Sequence, residues 1–139
     1  MGILRIARYL IYLANHDKNY SITPLKLQKL LYYAQGFTYS WDGHGLFDDE
    51  FEAWKYGPVN REVYNEFKSY GYSKLPIEAS NGISEDDMTD LEVENLKIVW
   101  NKMKKYDAFE LVDKTHKEDP WKKHYGKTDY KIPNETIKE

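Results

Sequence analysis

The residues best suited to chemistry are two histidines and three carboxylates that lie close together in sequence: Asp113, His116, Glu118, Asp119 and His124. A histidine beside a carboxylate is a pairing used in acid–base hydrolysis, and both residue types can bind zinc. The spacing does not match a zinc helix with two histidines four residues apart and a glutamate between them. His116 falls at the end of a predicted helix, where the helix dipole favours a histidine. We therefore favour a structural role, and a small hydrolase centred on His116 is the alternative.

Other signals for chemistry are weak. None of the glycines stands in a phosphate-binding G-x-G-x-x-G pattern or before a Lys-Ser/Thr pair. Asp48, Asp49 and Glu50 lack the alternate spacing and the glycine of an EF-hand loop. The chain has no cysteine, which excludes thiolate chemistry and disulfides. The sequence thus predicts no metal, no cofactor and no catalytic residue, so we expect a protein that is not an enzyme.

Apolar residues at steps of three, four and seven predict the elements that would position these side chains. We expect a mostly α-helical, compact bundle of about six helices in a single domain spanning residues 1–139. Weak alternation predicts a small β element near residues 51–57, with Trp54 in the core, and the tail from about residue 126 is partly irregular. The predicted helices cover residues 3–14, 24–41, 58–70, 90–105, 108–116 and 120–124.

The longest predicted helix carries two apolar stripes, and the rest of the chain is organised around it. One stripe faces the core and consists of Leu27, Leu30, Leu31, Ala34, Phe37 and Trp41. The opposite, narrower stripe consists of Leu25, Tyr32 and Tyr39. If this second stripe is exposed, it has the make-up of an interface centre. If it is not, we expect the helix over residues 90–105 to cover it.

The net charge of −3 hides a strong asymmetry. Residues 42–94 carry fourteen acidic and four basic side chains, whereas the segments on either side are net positive. Such a region disfavours nucleic acid and favours a basic partner, which Asp48, Asp49 and Glu50 would steer towards the second stripe. A solvated acidic face is the other interpretation of the same charges.

The chain also carries no signal for a membrane. No apolar run approaches the roughly 20 residues of a membrane span, and the N-terminal residues lack a signal-peptide cleavage pattern. The absence of cysteine agrees with a reducing compartment. We expect a cytoplasmic protein that binds neither membrane nor nucleic acid.

Four separated motifs together resemble one known family. They are Leu25–Gly36 (LKLQKLLYYAQG), Phe47–Val59 (FDDEFEAWKYGPV), Tyr64–Phe67 (YNEF) and Thr115–Trp121 (THKEDPW), and their order is similar to that of the Panacea antitoxin domain, first known as a phage-associated protein family. The resemblance implies the antitoxin of a toxin–antitoxin system, a small helical protein that neutralises a cognate protein toxin by direct binding. Related antitoxins also act as adaptors that hand a partner to a protease. Toxins in the family are diverse, so the resemblance does not name one.

Two other function classes stay open beside the antitoxin. The hydrolase needs an open cleft in which a carboxylate lies within hydrogen-bond reach of His116. A nucleic-acid-binding regulator needs the basic N-terminal third to form a continuous positive face.

Overall fold

Six α-helices and a three-stranded sheet pack around one core in the computed structural model, which describes residues 2–126 and 131–137. The mostly helical architecture predicted from the sequence is confirmed. The helices are α1 (Ile3–Asn15), α2 (Pro24–Asp42), α3 (Arg61–Phe67), α4 (Asp90–Met103), α5 (Ala108–His116) and α6 (Asp119–His124). The strands are β1 (Phe51–Trp54), β2 (Gly57–Val59) and β3 (Lys131–Ile132). No helix in the described ranges is long and apolar enough to cross a membrane.

Side-chain caps set most of the helix starts. Thr23 accepts a hydrogen bond from the Lys26 amide at the start of α2, and reciprocal capping boxes begin α4 and α5. The expected helix start at Pro58 is wrong. Pro58 lies in β2, and α3 begins after Asn60, whose side chain accepts from the Val63 amide. The segment over residues 73–84, between α3 and α4, contains a single 3-10 turn, Ile77–Ser80.

The sheet has β1 at its centre, with β2 and β3 antiparallel on either side. Ala53 lies opposite Pro58, and Phe51 lies opposite Ile132. Strand β3 falls in the tail that we expected to be partly irregular, and a 3-10 turn, Asn134–Thr136, follows it. The parts of that tail at residues 127–130 and 138–139 lie outside the described residues.

Helix α2 runs through the middle of the molecule, and Leu27, Leu30 and Leu31 are fully buried as predicted. Two core predictions are wrong. Trp41 is 43% exposed because it lies in the last turn of α2, and Trp54 is only half-buried. Successive strand residues point to opposite faces, and in β1 the buried face belongs to Phe51 and Ala53.

Candidate functional site

The turn between β1 and β2 is held by α5 and α6. The His116 Nε2–H donates to the carbonyl of Lys55 at 2.9 Å, and the Trp121 Nε1–H donates to the carbonyl of Trp54 at 2.7 Å. The rings of His116 and Trp121 stack with centroids 4.0 Å apart. Both side chains therefore fix the position of the β1–β2 turn.

Two other members of the predicted chemical cluster, Glu118 and His124, have separate partners. Glu118 accepts from the Tyr33 hydroxyl at 3.0 Å and pairs with Lys114 at 3.3 Å. His124 is bonded through Nδ1 to the carbonyl of Pro120. The described residues contain no group of three or more histidine and acidic side chains that could hold a metal ion. The hydrogen bond from His116 to the carbonyl of Lys55 is consistent with the structural role that we favour for this histidine.

Side chains of α2 bond the backbone along the outer side of β2. The Lys29 ammonium donates to the carbonyl of Pro58 at 2.8 Å. The Gln28 side chain donates to the carbonyl of Asn60 at 3.0 Å and accepts from the Asn60 amide at 2.8 Å. Lys29 is completely buried, and this desolvation lowers its pKa to about 7. The outer edge of the sheet is thus occupied by α2.

Gly57 allows this close approach. Its φ of +102° lies in the region that favours glycine. A Cβ at this position would lie 2.7 Å from the Thr115 hydroxyl oxygen and 2.8 Å from the Lys29 Cε. The motifs that contain Lys29, Gly57 and Thr115 therefore meet in one rigid corner.

An open groove of about 500 Å³ lies beside this corner, and we call it the aromatic groove. Its walls come from the start of α2, the β1–β2 turn, α3 and the turn that follows α3. Most of its surface is apolar. It is lined by Pro24, Leu25, Gln28, Trp54, Lys55, Tyr56, Val59, Val63, Tyr64, Phe67, Lys68, Gly71 and Tyr72.

A second depression of about 480 Å³ adjoins the aromatic groove and shares Leu25, Gly71 and Tyr72 with it. The exposed ring of Phe109 in the second depression meets Tyr56 of the groove edge-on, with centroids 6.4 Å apart. Half of the ten large apolar side chains that are exposed in the described part of the chain lie on these two surfaces: Tyr20, Tyr56, Tyr64, Tyr72 and Phe109. Clustered exposed aromatic residues are typical of protein-binding surfaces.

The rim of the aromatic groove is basic. Its charged lining residues are Lys55 and Lys68, whose ammonium groups lie 5.5 Å and 5.9 Å from the ring centroids of Tyr56 and Tyr64. Neither lysine forms a salt bridge with another described residue. No carboxylate among the described residues lines the groove. A partner that enters it therefore meets a mostly apolar surface and two lysines.

A third cation, Arg61, lies over the ring of Trp54. The guanidinium of Arg61 covers the indole ring at 5.1 Å and pairs with Glu52 at 2.9 Å. Partial burial raises the pKa of Glu52, but hydrogen bonds from Arg61 and Trp54 outweigh this effect and hold the pKa below its usual range. This edge of the groove is therefore locked by an ion pair of its own.

The structure places the predicted second stripe of α2 in different environments. Leu25 is half-buried and lines the aromatic groove. Tyr32 is only 2% exposed, so the three residues do not form one exposed strip. The ring centroids of Tyr32 and Phe51 lie 5.8 Å apart, so strand β1 packs against Tyr32. The sequence-based expectation named the helix over residues 90–105 as the element that covers this stripe. Tyr39 is half-buried.

The predicted steering loop is partly engaged in the fold. Asp48 and Glu50 are exposed, and Asp49 accepts a hydrogen bond from the Ile3 amide at the start of α1 at 3.2 Å. These residues do not line the aromatic groove. Their role towards a partner stays a prediction.

Sequence reasoning missed most of the aromatic groove. Tyr64 lies off the buried face that Val63 and Phe67 form, and Tyr72 follows the glycine that ends the 3-10 turn after α3. An aromatic residue outside every predicted apolar stripe was the available signal. Such a signal can identify single exposed rings. It cannot show that these rings lie close to Leu25 and Phe109, which come from other parts of the chain.

The comparison with protein families matches the model described as "Antitoxin SocA-like, Panacea domain" over residues 27–122. The chain belongs to this antitoxin family. The resemblance seen in the motifs is thereby confirmed. The matched range contains the corner around Gly57 and most of the aromatic groove.

One curated relative is Antitoxin SocA of Caulobacter vibrioides (strain NA1000 / CB15N), which is 48% identical over 50 residues. The aligned part is 36% of this chain and 27% of that protein, so the match spans about a quarter of the relative's length. No solved structure matches the chain. Membership of the SocA-like family supports an antitoxin role and suggests a role without catalysis.

Proposed function

We propose that this protein is an antitoxin that neutralises a cognate protein toxin by binding it directly through the aromatic groove. The observation that carries this proposal is the gathering of exposed aromatic side chains on one surface of a SocA-like antitoxin domain. Such residues supply most of the binding energy in protein interfaces, because a large rigid ring buries much area at little entropic cost.

The groove is also pre-organised for binding. The corner behind it is fixed by the bonds of Lys29, His116 and Trp121, so its walls need little ordering when a partner arrives. Binding by a fixed surface requires neither a cofactor nor catalysis by the antitoxin.

Charge supports a second part of the proposal. The acidic segment over residues 42–94, with Asp48 and Glu50 exposed, would attract a toxin of net positive charge and would repel nucleic acid. We infer that the complex forms in the cytoplasm. Delivery of the bound toxin to a protease is a further mode known in related antitoxins, and it would use the same docking step.

Growth of a bacterial host tests the antitoxin role. We expect the reading frame adjacent to this gene to arrest growth when it is expressed alone, and co-expression of this protein to restore it. A wild-type protein that fails to restore growth, although it is folded and present in excess, would contradict the antitoxin proposal.

A matched pair of variants tests the surface. Tyr56→Ser with Tyr72→Ser removes two exposed groove residues, whereas Leu91→Ser with Ile98→Ser removes two exposed apolar residues on α4. We expect the first pair to lose about 3 kcal/mol of binding free energy, which weakens the Kd by about 100-fold, and the second pair to bind as wild type. Surface-immobilised toxin and thermal unfolding would measure affinity and folding. Equal affinity for both pairs would show that the toxin docks elsewhere.

A further inference from the structure

The walls of the aromatic groove restrict the type of segment that can bind in it. An extended segment gains affinity by pairing its backbone with a free sheet edge. Here the outer side of β2 has no such edge, because Lys29 bonds the carbonyl of Pro58 and Gln28 bonds both backbone groups of Asn60. Pro58 itself lacks an amide hydrogen. A partner must therefore bind through its side chains.

The shape and chemistry of the groove fit the apolar face of a helix. Leu25, Val63 and Phe67 line it, and the rings of Tyr56, Tyr64 and Tyr72 stand exposed around it. A helix places apolar side chains at steps of three, four and seven on one face, and it satisfies its own backbone groups. This is the form of segment that needs no hydrogen bond from a covered strand edge.

The basic rim adds a charge requirement. Lys55 and Lys68 are exposed, line the groove, and form no salt bridge with any other described residue. The chain as a whole has a net charge of −3, whereas the charged residues that line the groove are both positive. Carboxylates beside the apolar face of a partner helix would complement both lysines, whereas lysines or arginines would be repelled.

We propose that the aromatic groove receives an amphipathic helix of the toxin, whose apolar face enters the groove and whose flanking carboxylates meet Lys55 and Lys68. This rests on the proposed function and adds the chemistry of the bound segment. It is compatible with a toxin of net positive charge, because long-range attraction depends on the whole protein and the contact depends on one segment.

Charge reversal tests the rim. Lys55→Glu with Lys68→Glu should weaken toxin binding by at least about tenfold. Because the new contacts are repulsive and salt screens them, added salt should weaken the binding of this variant less than that of the wild type. The control is Lys18→Glu with Lys102→Glu, which makes the same change in net charge at two exposed lysines outside the groove. Equal weakening by both pairs would mean that only net charge matters and would overturn the proposal.

A displayed library of helical peptides tests the form of the segment without the toxin. Apolar residues would vary at positions i, i+3, i+4 and i+7, and the flanking positions would vary among Asp, Glu, Lys and Ser. Selection on the full chain should enrich acidic flanks. The enriched peptides should lose binding to Tyr56→Ser with Tyr72→Ser, should prefer lysine flanks on the Lys55→Glu, Lys68→Glu variant, and should compete with the toxin.

Failure of this inference differs from failure of the antitoxin role. A protein that restores growth, but enriches basic flanks or no peptide at all, is an antitoxin with a different docking mode, and the proposal made here is overturned. Competition by an enriched acidic peptide that the groove variants no longer bind would support it. Failure to restore growth contradicts the antitoxin role whatever the peptides show.

Discussion

The substitution Lys29→Met tests the energetics of the buried amine behind the aromatic groove. Lys29 is fully buried, and its ammonium donates one hydrogen bond, to the carbonyl of Pro58. Desolvation lowers its pKa from 10.5 to about 7. Methionine has a similar length and flexibility and fills irregular spaces well, so it removes the ionisable group with little change in packing.

The sign of the pH dependence follows from the direction of this shift. Between pH 7 and about 10 the unfolded chain holds a proton on Lys29 that the folded protein lacks, so the free energy of unfolding rises with pH by about 1.4 kcal/mol per unit. Above the unfolded pKa of 10.5 the amine is neutral in both states and costs nothing. Below pH 7 it is charged in both, and burial of the charge costs about 5 kcal/mol in full.

Methionine removes this cost but leaves the carbonyl of Pro58 without its donor, which costs about 1–3 kcal/mol. At pH 7 the net expectation is a stabilisation of about 3 kcal/mol. At pH 9 the remaining cost of the amine is about 2 kcal/mol, so the stability curves of wild type and variant should cross near that pH.

Urea unfolding followed by tryptophan fluorescence at pH 7, 8, 9 and 9.5 would measure both curves, with unchanged m values as the check on comparability. Lys26, whose pKa is also lowered by burial, is present in both proteins and cancels in the difference. Lys102→Met, at an exposed site, is the control and should not change the slope. If wild type and Lys29→Met show parallel pH dependence, the amine is charged and compensated in the fold, and the reasoning is refuted.

Three further predictions concern other contacts. Gly57→Ala should destabilise by about 3 kcal/mol, since the new Cβ would overlap the Thr115 hydroxyl in a strained backbone conformation; a drop in melting temperature below about 2 °C would contradict this. His116→Ala should cost about 1 kcal/mol of stability. It should weaken toxin binding only about twofold to threefold, because Trp121 still holds the β1–β2 turn, and lost binding at an unchanged melting temperature would revive a direct functional role. Glu92→Gln should cost about 2 kcal/mol of stability at pH 7, because the hydrogen bond from Arg5 stabilises the ionised carboxylate and lowers the pKa of Glu92. The stability that this carboxylate contributes is lost as the pH falls through its folded pKa, which lies below 4.5. Acid unfolding curves that stay parallel for variant and wild type would argue against it.

The helices could be predicted because their signals are local. Capping residues such as Thr89 and Asp107 act within one turn, and apolar periodicity marks the buried face of each helix. The partial exposure of Trp54 could not be predicted in this way, because the sequence of a four-residue strand does not show which of its two faces packs against the core. Strand β3 has two residues and a partner far away in sequence, so it leaves no local pattern.

The aromatic groove was harder to predict than the fold. Leu25 was identified from the second stripe of α2, but Tyr32 of the same stripe is covered by Phe51, which is distant in sequence. Tyr72 and Phe109 come together with Leu25 only through the tertiary packing of three separate segments. Exposure depends on what each residue packs against, and a single sequence contains no direct record of such distant neighbours.

The pairing of Phe51 with Ile132 sets an order for folding during synthesis. A ribosome that adds about 5–20 residues per second needs about 4–16 s to make the roughly 80 residues between them. Throughout that time one edge of β1 has no partner strand, and the residues that line the aromatic groove, which end at Tyr72, are all made within about the first quarter of it. The residues that line the groove are therefore synthesised before the sheet can be completed, and in the meantime the unpaired edge of β1 is open to pairing with other chains.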